Sequence, residues 1–159
     1  MTRAYNFNAG PAALPEEVLL KAKQEWMNFE DSHMSVMELS HRSKEYDKVH
    51  SKAIHLLKEL LDIPENYEVL FLQGGASLQF SMVPMNLLIP DKCASYILTG
   101  SWSEKALKEA RKIGRTEIAA STKDTNYKQI PDHDNISLNP DAAYLHITSN
   151  NTIYGTQWQ

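Results

Sequence analysis

Glycines and a hydroxyl side chain form the first segment of the sequence that could hold a small anion. Residues 73–77 read Gln-Gly-Gly-Ala-Ser, after an apolar run. Glycine lets the backbone approach a phosphate closely, and the amides of Ala76 and Ser77 with the Ser77 hydroxyl could bind it. The segment lacks the spacing of a Walker A or dinucleotide-binding motif, so it supports neither nucleotide class. An ordinary tight turn is the alternative.

Two further candidates follow predicted strands. Trp102 opens a predicted helix, where its indole face could stack on a flat ring. Thr152 lies just beyond an apolar run, and its hydroxyl could donate a hydrogen bond to a ring oxygen or a phosphate. Each has a plain alternative, because large aromatic side chains most often fill a core and a loop threonine needs no ligand.

His41 and Arg42 form the last candidate, a basic pair between two predicted helices. A guanidinium binds a carboxylate or phosphate through two parallel hydrogen bonds, and the imidazole adds a donor. A solvated loop is the alternative. No histidine has the spacing of a metal ligand, so no metal site is predicted. Cys93, the only cysteine, has no activating neighbour and is more typical of a packed thiol than of a nucleophile.

Two helices are predicted before residue 62. Pro15 and the acidic residues after it begin the first, whose apolar stripe of Val18, Ala22, Trp26 and Phe29 ends near residues 30–32. The second helix covers about 43–61 and is stopped by Pro64.

From residue 67 onward, predicted strands alternate with predicted helices. The strands are predicted at 67–72, 94–98, 116–120 and 142–148. One helix is predicted from the double glycine to about residue 88, with a kink or shortening at Pro84, and another from Gly100 to Gly114. This alternation predicts the α/β class, a three-layer α/β/α arrangement with a mostly parallel sheet. No linker divides the chain, and no helix follows the last strand, so we expect one incomplete α/β domain.

Composition excludes several classes of partner. The 159 residues include 16 basic and 20 acidic side chains, which gives a net charge of −4. Without a basic stripe, nucleic acid is not an expected partner. No apolar leader and no membrane-spanning run are present, and a single cysteine allows no internal disulfide, so we predict a cytoplasmic protein with no membrane association.

Taken together, the conspicuous segments closely resemble the phosphoserine aminotransferase family, in its bacterial form. They cover essentially the whole chain in the family's order and spacing. They are Asn-Phe-Asn-Ala-Gly-Pro-Ala-Ala-Leu-Pro at 6–15, Ser-His-Arg-Ser at 40–43, Gln-Gly-Gly-Ala-Ser at 73–77, Gly-Ser-Trp-Ser at 100–103 and Ser-Asn-Asn-Thr-Ile-Tyr-Gly-Thr at 149–156.

The resemblance implies a fold-type I transaminase that uses pyridoxal 5'-phosphate. Its reaction moves an amino group between L-glutamate and 3-phosphohydroxypyruvate, giving O-phospho-L-serine and 2-oxoglutarate in serine biosynthesis. A related substrate in pyridoxine biosynthesis stays open. The family is homodimeric, with its active sites at the subunit interface.

Site residues follow from the resemblance motif by motif. Ala76 and Ser77 would bind the cofactor phosphate, Trp102 would stack on the pyridine ring, and Thr152 would hydrogen-bond the cofactor. Arg42, with His41, would bind the substrate anions, in its own subunit's site or in the partner's.

The resemblance also implies what these residues do not include. The family's Schiff-base lysine, its aspartate on the pyridine nitrogen and its small domain all come later in the chain. Residues 1–159 are therefore expected to be the amino-terminal part of the large domain, with no catalytic residue of their own and no activity as an isolated polypeptide. The alternatives are a non-catalytic anion-binding or scaffolding module, or another fold-type I aminotransferase.

Overall fold

The computed structural model describes residues 3–159, and the chain forms two compact units. The first unit extends to Phe71, and the second comprises Leu72–Gln159. Among the described residues, no helix is long and apolar enough to cross a membrane. The helices are α1 (Glu16–Gln24), α2 (Lys44–Leu60), α3 (Gly75–Leu87) and α4 (Ser101–Ala110), with short 3-10 helices at Val36–Glu38, Lys123–Thr125 and His133–Asn135. The strands are β1 (Ala94–Leu98), β2 (Thr116–Ser121), β3 (Tyr144–His146), β4 (Asn150–Asn151) and β5 (Thr156–Gln157).

Local signals define both helices of the first unit. The Ser43 hydroxyl accepts a hydrogen bond from the Tyr46 amide at 3.2 Å and caps α2, whose predicted extent is confirmed. Helix α1 begins after Pro15 as predicted, but it ends at Gln24 rather than near residue 30. Further along, Glu30 and Asp31 have φ angles of 46° and 59°, outside the right-handed helical region, so no helix continues through residue 30.

The strand predicted over residues 67–72 is wrong. Within the described residues, this segment has no regular structure, and the side chains of Leu70 and Phe71 are 71% and 54% exposed. A strand requires a neighbour for its backbone hydrogen bonds, and an apolar run in the sequence cannot supply one.

Strand β1 is the centre of the sheet in the second unit. It pairs in parallel with β2 on one side and with β3 on the other, in the order β2-β1-β3. All five residues of β1 are buried. The predicted α/β class with a parallel sheet is confirmed, although β3 is shorter than the predicted 142–148.

The two faces of this sheet have different coverings. On one face, Tyr96 and Leu98 pack with α4 residues such as Leu107, and Phe80 of α3 lies against the same cluster. On the other face, Ile97 and the two alanines of β2 pack against side chains from the later loops, namely Ile136 and Trp158. Pro84 lies in the last turn of α3, where its carbonyl accepts from the Leu88 amide at 3.0 Å, so the helix ends close to the predicted position.

Candidate functional site

The carboxyl ends of the three parallel strands meet at one edge of the sheet. Thr99 and Gly100 follow β1, Thr122 follows β2, and Thr148 follows β3. The chain leaves β1 toward β2 on one side and returns as β3 on the other, so the strand order reverses at the end of β1. In open α/β sheets, ligands bind at such a reversal.

Ser103 fixes the start of α4 at this edge. Its hydroxyl accepts hydrogen bonds from the amides of Thr99 at 2.9 Å and Gly100 at 3.1 Å, and donates one to the Gly100 carbonyl at 2.7 Å. Because Ser103 is fully buried, these bonds are shielded from water. They place Trp102, one residue earlier, directly at the end of β1.

Trp102 and Thr152, predicted independently as ligand residues, contact each other. The indole Nε1–H donates to the Thr152 hydroxyl oxygen at 3.0 Å, across 50 positions of sequence. Because that oxygen accepts from Trp102, its own hydrogen stays available to donate to a ligand. The Lys105 ammonium lies 4.3 Å from the centre of the indole ring. A flat ligand ring would therefore stack on the opposite indole face or displace Lys105.

A tight hairpin presents Thr152. Strands β4 and β5 pair antiparallel, and the Asn151 carbonyl accepts from the amides of Tyr154 at 3.1 Å and Gly155 at 2.7 Å. The Tyr154 ring packs edge-on against Tyr127, with ring centres 5.0 Å apart. The turn is thus held both by its own backbone and by an aromatic contact.

Tyr127 connects this turn to α4. Its hydroxyl donates to Glu104 Oε1 at 2.6 Å, and the Lys123 ammonium donates to the same oxygen at 2.8 Å. The hydrogen bonds from Lys123 and from Tyr127 hold the pKa of the Glu104 carboxyl below its usual range, whereas burial raises the pKa of the Tyr127 phenol. At neutral pH Glu104 is therefore a carboxylate and Tyr127 a neutral donor.

The start of α3 has the geometry expected of an anion site. Gly74 and Gly75 have φ angles of 92° and 60°, which favour glycine, and no side chain caps the helix. Ala76 and Ser77 are exposed in the first turn. Uncapped amides at the start of a helix favour negative charge, so the predicted phosphate position is physically suitable.

Helices α3 and α4 run in the same direction. The Ser81 hydroxyl in the middle of α3 donates to Glu109 near the end of α4 at 3.3 Å. Beyond both helix ends, a Cβ built on Gly114 would lie 2.8 Å from Leu88 Cδ2, so these residues are in close contact. The earlier residue of α3 contacts the earlier residue of α4, and the later contacts the later. The two helices are therefore parallel and begin at the same edge of the sheet.

His41 and Arg42 belong to the first unit. Both are exposed in the turn before α2, where the Arg42 amide donates to the Ser40 hydroxyl at 3.2 Å. Their role in binding substrate anions stays a prediction. Among residues 3–159, no group of three or more His, Cys, Asp or Glu side chains could hold a metal ion.

Buried polar residues at this edge were missed by the sequence analysis. Asn151 is 1% exposed and donates through Nδ2 to the Thr99 hydroxyl at 2.9 Å. The Thr156 hydroxyl donates to the Thr99 carbonyl at 3.0 Å. Partners separated by 52 and 57 positions leave no local pattern, so only their location after predicted strands could have drawn attention to them.

Comparisons with known proteins identify the family of this chain. The family model for class V aminotransferases matches residues 4–159. The phosphoserine aminotransferase of Halalkalibacterium halodurans is 66% identical over 158 residues, covering 99% of this chain and 44% of that protein. The Bacillus subtilis phosphoserine aminotransferase is 63% identical over 159 residues, covering 100% and 44%.

Solved structures give the same result. A phosphoserine aminotransferase studied for radiation damage of its Schiff base superposes with a TM-score of 0.96 at 62% identity, covering 100% of this chain and 44% of that one. The PLP-bound phosphoserine aminotransferase of Trichomonas vaginalis has a TM-score of 0.93 at 43% identity, covering 99% and 47%. The predicted resemblance is therefore confirmed, and with it a fold of proteins that bind pyridoxal phosphate.

The matches cover nearly all of this chain but only part of each matched protein. The chain spans less than half the length of the phosphoserine aminotransferases it matches. The family model, in contrast, covers all but the first three residues of this chain. The chain belongs to the class V aminotransferase family.

Proposed function

We propose that this chain forms part of the pyridoxal 5'-phosphate site of a phosphoserine transaminase. The reaction transfers an amino group between L-glutamate and 3-phosphohydroxypyruvate, giving O-phospho-L-serine and 2-oxoglutarate in serine biosynthesis. The observation that carries the proposal is the 3.0 Å hydrogen bond from Trp102 to Thr152 at the end of β1. The similarity to a PLP-bound phosphoserine aminotransferase supports the same ligand.

The residues present fit the phosphate of this cofactor. The uncapped start of α3 offers the Ala76 and Ser77 amides, and the exposed Ser77 hydroxyl adds a donor. The positive end of a 13-residue helix stabilises the phosphate charge. Because α3 and α4 begin at the same edge, a phosphate held there lies on the Trp102 side of the sheet.

The residues also fit the aromatic ring. Trp102 is half-buried and fixed by its hydrogen bond, so its indole can stack on a planar ring without losing rotamer freedom on binding. Thr152 is exposed and keeps a hydroxyl hydrogen to donate. When bound, pyridoxal phosphate supplies an electron sink and a carrier for the amino group, and the protein supplies its orientation.

Substrate binding and assembly rest on the family resemblance. Arg42, with His41, binds the carboxylates of glutamate or the phosphorylated 2-oxo acid through paired hydrogen bonds. The protein is a cytoplasmic homodimer, and residues 1–159 contribute part of its large domain. No residue of this chain is assigned as the Schiff-base lysine, so the 159-residue polypeptide alone is predicted not to transaminate.

Cofactor titration of the full-length protein tests the proposal. Ser77→Ala removes one donor and should weaken pyridoxal phosphate binding about tenfold, the value of one hydrogen bond. Thr152→Val removes a donor and also the acceptor of the Trp102 indole, so its loss of affinity should be at least as large. Ser51→Ala, at an exposed position of α2, is the matched control and should bind normally. Unchanged affinity in both site variants contradicts the proposed site. An assay with glutamate and 3-phosphohydroxypyruvate separates a transaminase from a module that only binds anions.

A further inference from the structure

Asn151 occupies a buried position next to Thr152 in the sequence. Its side chain is 1% exposed, and Nδ2 donates to the Thr99 hydroxyl at 2.9 Å. Thr99 is itself fully buried at the end of β1. The amide of Asn151 therefore attaches the hairpin that presents Thr152 to the central strand of the sheet.

Close packing against Gly100 adds a second constraint. A Cβ built on Gly100 would lie 2.4 Å from Asn151 Oδ1, far inside contact distance. Gly100 is the N-cap of α4, so the Asn151 amide lies against the backbone from which the helix of Trp102 begins. Asn151, which directly precedes Thr152, thus packs against Gly100, two residues before Trp102.

The other hairpin strand is attached at the same point. The Thr156 hydroxyl donates to the Thr99 carbonyl at 3.0 Å, and the Asn151 carbonyl closes the turn by accepting from Gly155. Asn151 Oδ1 has no hydrogen-bond partner within residues 3–159. Because a buried unpaired acceptor is costly, its place in the site needs an explanation beyond stability.

We propose that Asn151 is a positioning residue for the cofactor site. Its amide sets the distance between the Thr152 hydroxyl and the Trp102 indole, and so aligns the hydrogen-bond donor with the stacking surface. The binding of pyridoxal phosphate by Trp102 and Thr152 rests on the proposed function. The alignment itself is a property of the protein without ligand.

The first test measures alignment in the ligand-free full-length protein. The indole N–H resonance of Trp102, assigned with Trp102→Phe, reports the hydrogen bond to Thr152. Asn151→Ala should shift it toward the position of a non-bonded indole. Asn150→Ala should not, because Asn150 is exposed and its amide donates to the Ser149 hydroxyl, away from Trp102 and Thr152. An unshifted resonance in folded Asn151→Ala overturns the proposal.

Thr99→Val keeps the test available if Asn151→Ala does not fold. Valine has nearly the shape of threonine but lacks the hydroxyl that accepts from Asn151, so no large cavity forms. The same shift of the Trp102 resonance is expected, and its absence in folded Thr99→Val contradicts the role of the Asn151 amide.

The second test separates positioning from a general structural role. Asn151→Ala should weaken pyridoxal phosphate binding about tenfold in the natural background. In a Thr152→Val background it should add little, because its effect acts through Thr152. Fully additive losses overturn the proposal. If Thr152→Val alone leaves affinity unchanged, the proposed cofactor role fails, and the Trp102 resonance still decides whether Asn151 positions the pair.

Discussion

Helices α2 and α4 are both amphipathic, but the apolar side chains of the two helices differ in how deeply they are buried. On α4, Leu107 is 4% exposed and belongs to the core on one face of the sheet. On α2, Leu60 is 76% exposed, and no residue of that helix is buried. Within residues 3–71, Leu39 is the only apolar side chain that is buried. The core of the chain therefore lies in the second unit.

This difference shows what an amphipathic pattern does and does not predict. Local interactions specify α2, including the Ser43 cap and the acidic residues Glu45 and Asp47 in its first turn. Helix α4 has its own local signals, but its apolar side also packs on β1. Hydrophobic periodicity locates both helices equally well, although the apolar side chains of only one are buried.

The largest test of this contrast truncates one leucine in each helix. Leu107→Ala should lower the free energy of unfolding by about 2–5 kcal/mol, because it leaves a cavity in the core. Leu60→Ala, the matched control, should change it by less than about 0.5 kcal/mol. Urea denaturation of the 159-residue chain, in which these exposures hold, measures both. Equal losses would show that the first unit depends on its apolar side chains as much as the second.

A smaller effect should come from His146, which belongs to the sheet of the second unit. Its ring stacks on Tyr96, with ring centres 4.9 Å apart, and burial lowers its pKa below the ordinary value of about 6.5. As the pH falls below about 6.5, His146 therefore takes up a proton in the unfolded chain before it does so in the folded chain, which favours unfolding. The stabilisation is complete above that pH and is lost as the pH falls through the folded pKa.

Unfolding free energies measured between pH 7 and pH 5 test this expectation, since that window spans the ordinary histidine pKa of about 6.5. His146→Gln should flatten the loss of stability on acidification. His33→Gln, at an exposed position of the first unit, is the control. If the unfolding free energy of His146→Gln falls with pH as steeply as that of the unmodified protein, groups other than His146 cause the acid sensitivity.

The smallest expected effect lies on the surface of the second unit. Lys105→Met removes the ammonium 4.3 Å from the Trp102 ring and should lower stability by no more than about 0.5–1 kcal/mol. It should nevertheless change the Trp102 fluorescence, because the charge next to the indole is lost. Lys108→Met, exposed on the same helix, should leave that fluorescence unchanged. A large loss of stability in Lys105→Met would show that this exposed side chain contributes as much to folding as a buried core residue does.

Elements specified by local sequence were the predictable part of the fold. Strand β1 was predicted over 94–98 and lies at Ala94–Leu98, and α4 begins after Gly100 as expected. Within the candidate site, Trp102 and Thr152 were chosen from residue type and from their place after strands. The structure brings the two side chains into contact at 3.0 Å, and their role as ligand residues stays a prediction.

Features that depend on distant partners were not predictable. Residues 67–72 have the composition of a strand but no neighbouring strand among the described residues. The β4–β5 hairpin and the bond from Asn151 to Thr99 also escaped notice, because the latter joins positions 52 apart. A local pattern records propensity and periodicity, whereas these features depend on which segments meet in space.

The close approach of Asn151 to Gly100 has a consequence for substitution at both positions. Gly100 has a φ of 162°, an extended conformation open to any residue, so backbone freedom does not require glycine there. Space does, because any Cβ would overlap the Asn151 amide. Alanine at position 100 should therefore be accepted only together with a smaller residue at position 151. In a pairwise mutational library, folded variants with a side chain at position 100 should therefore also carry a smaller residue at position 151.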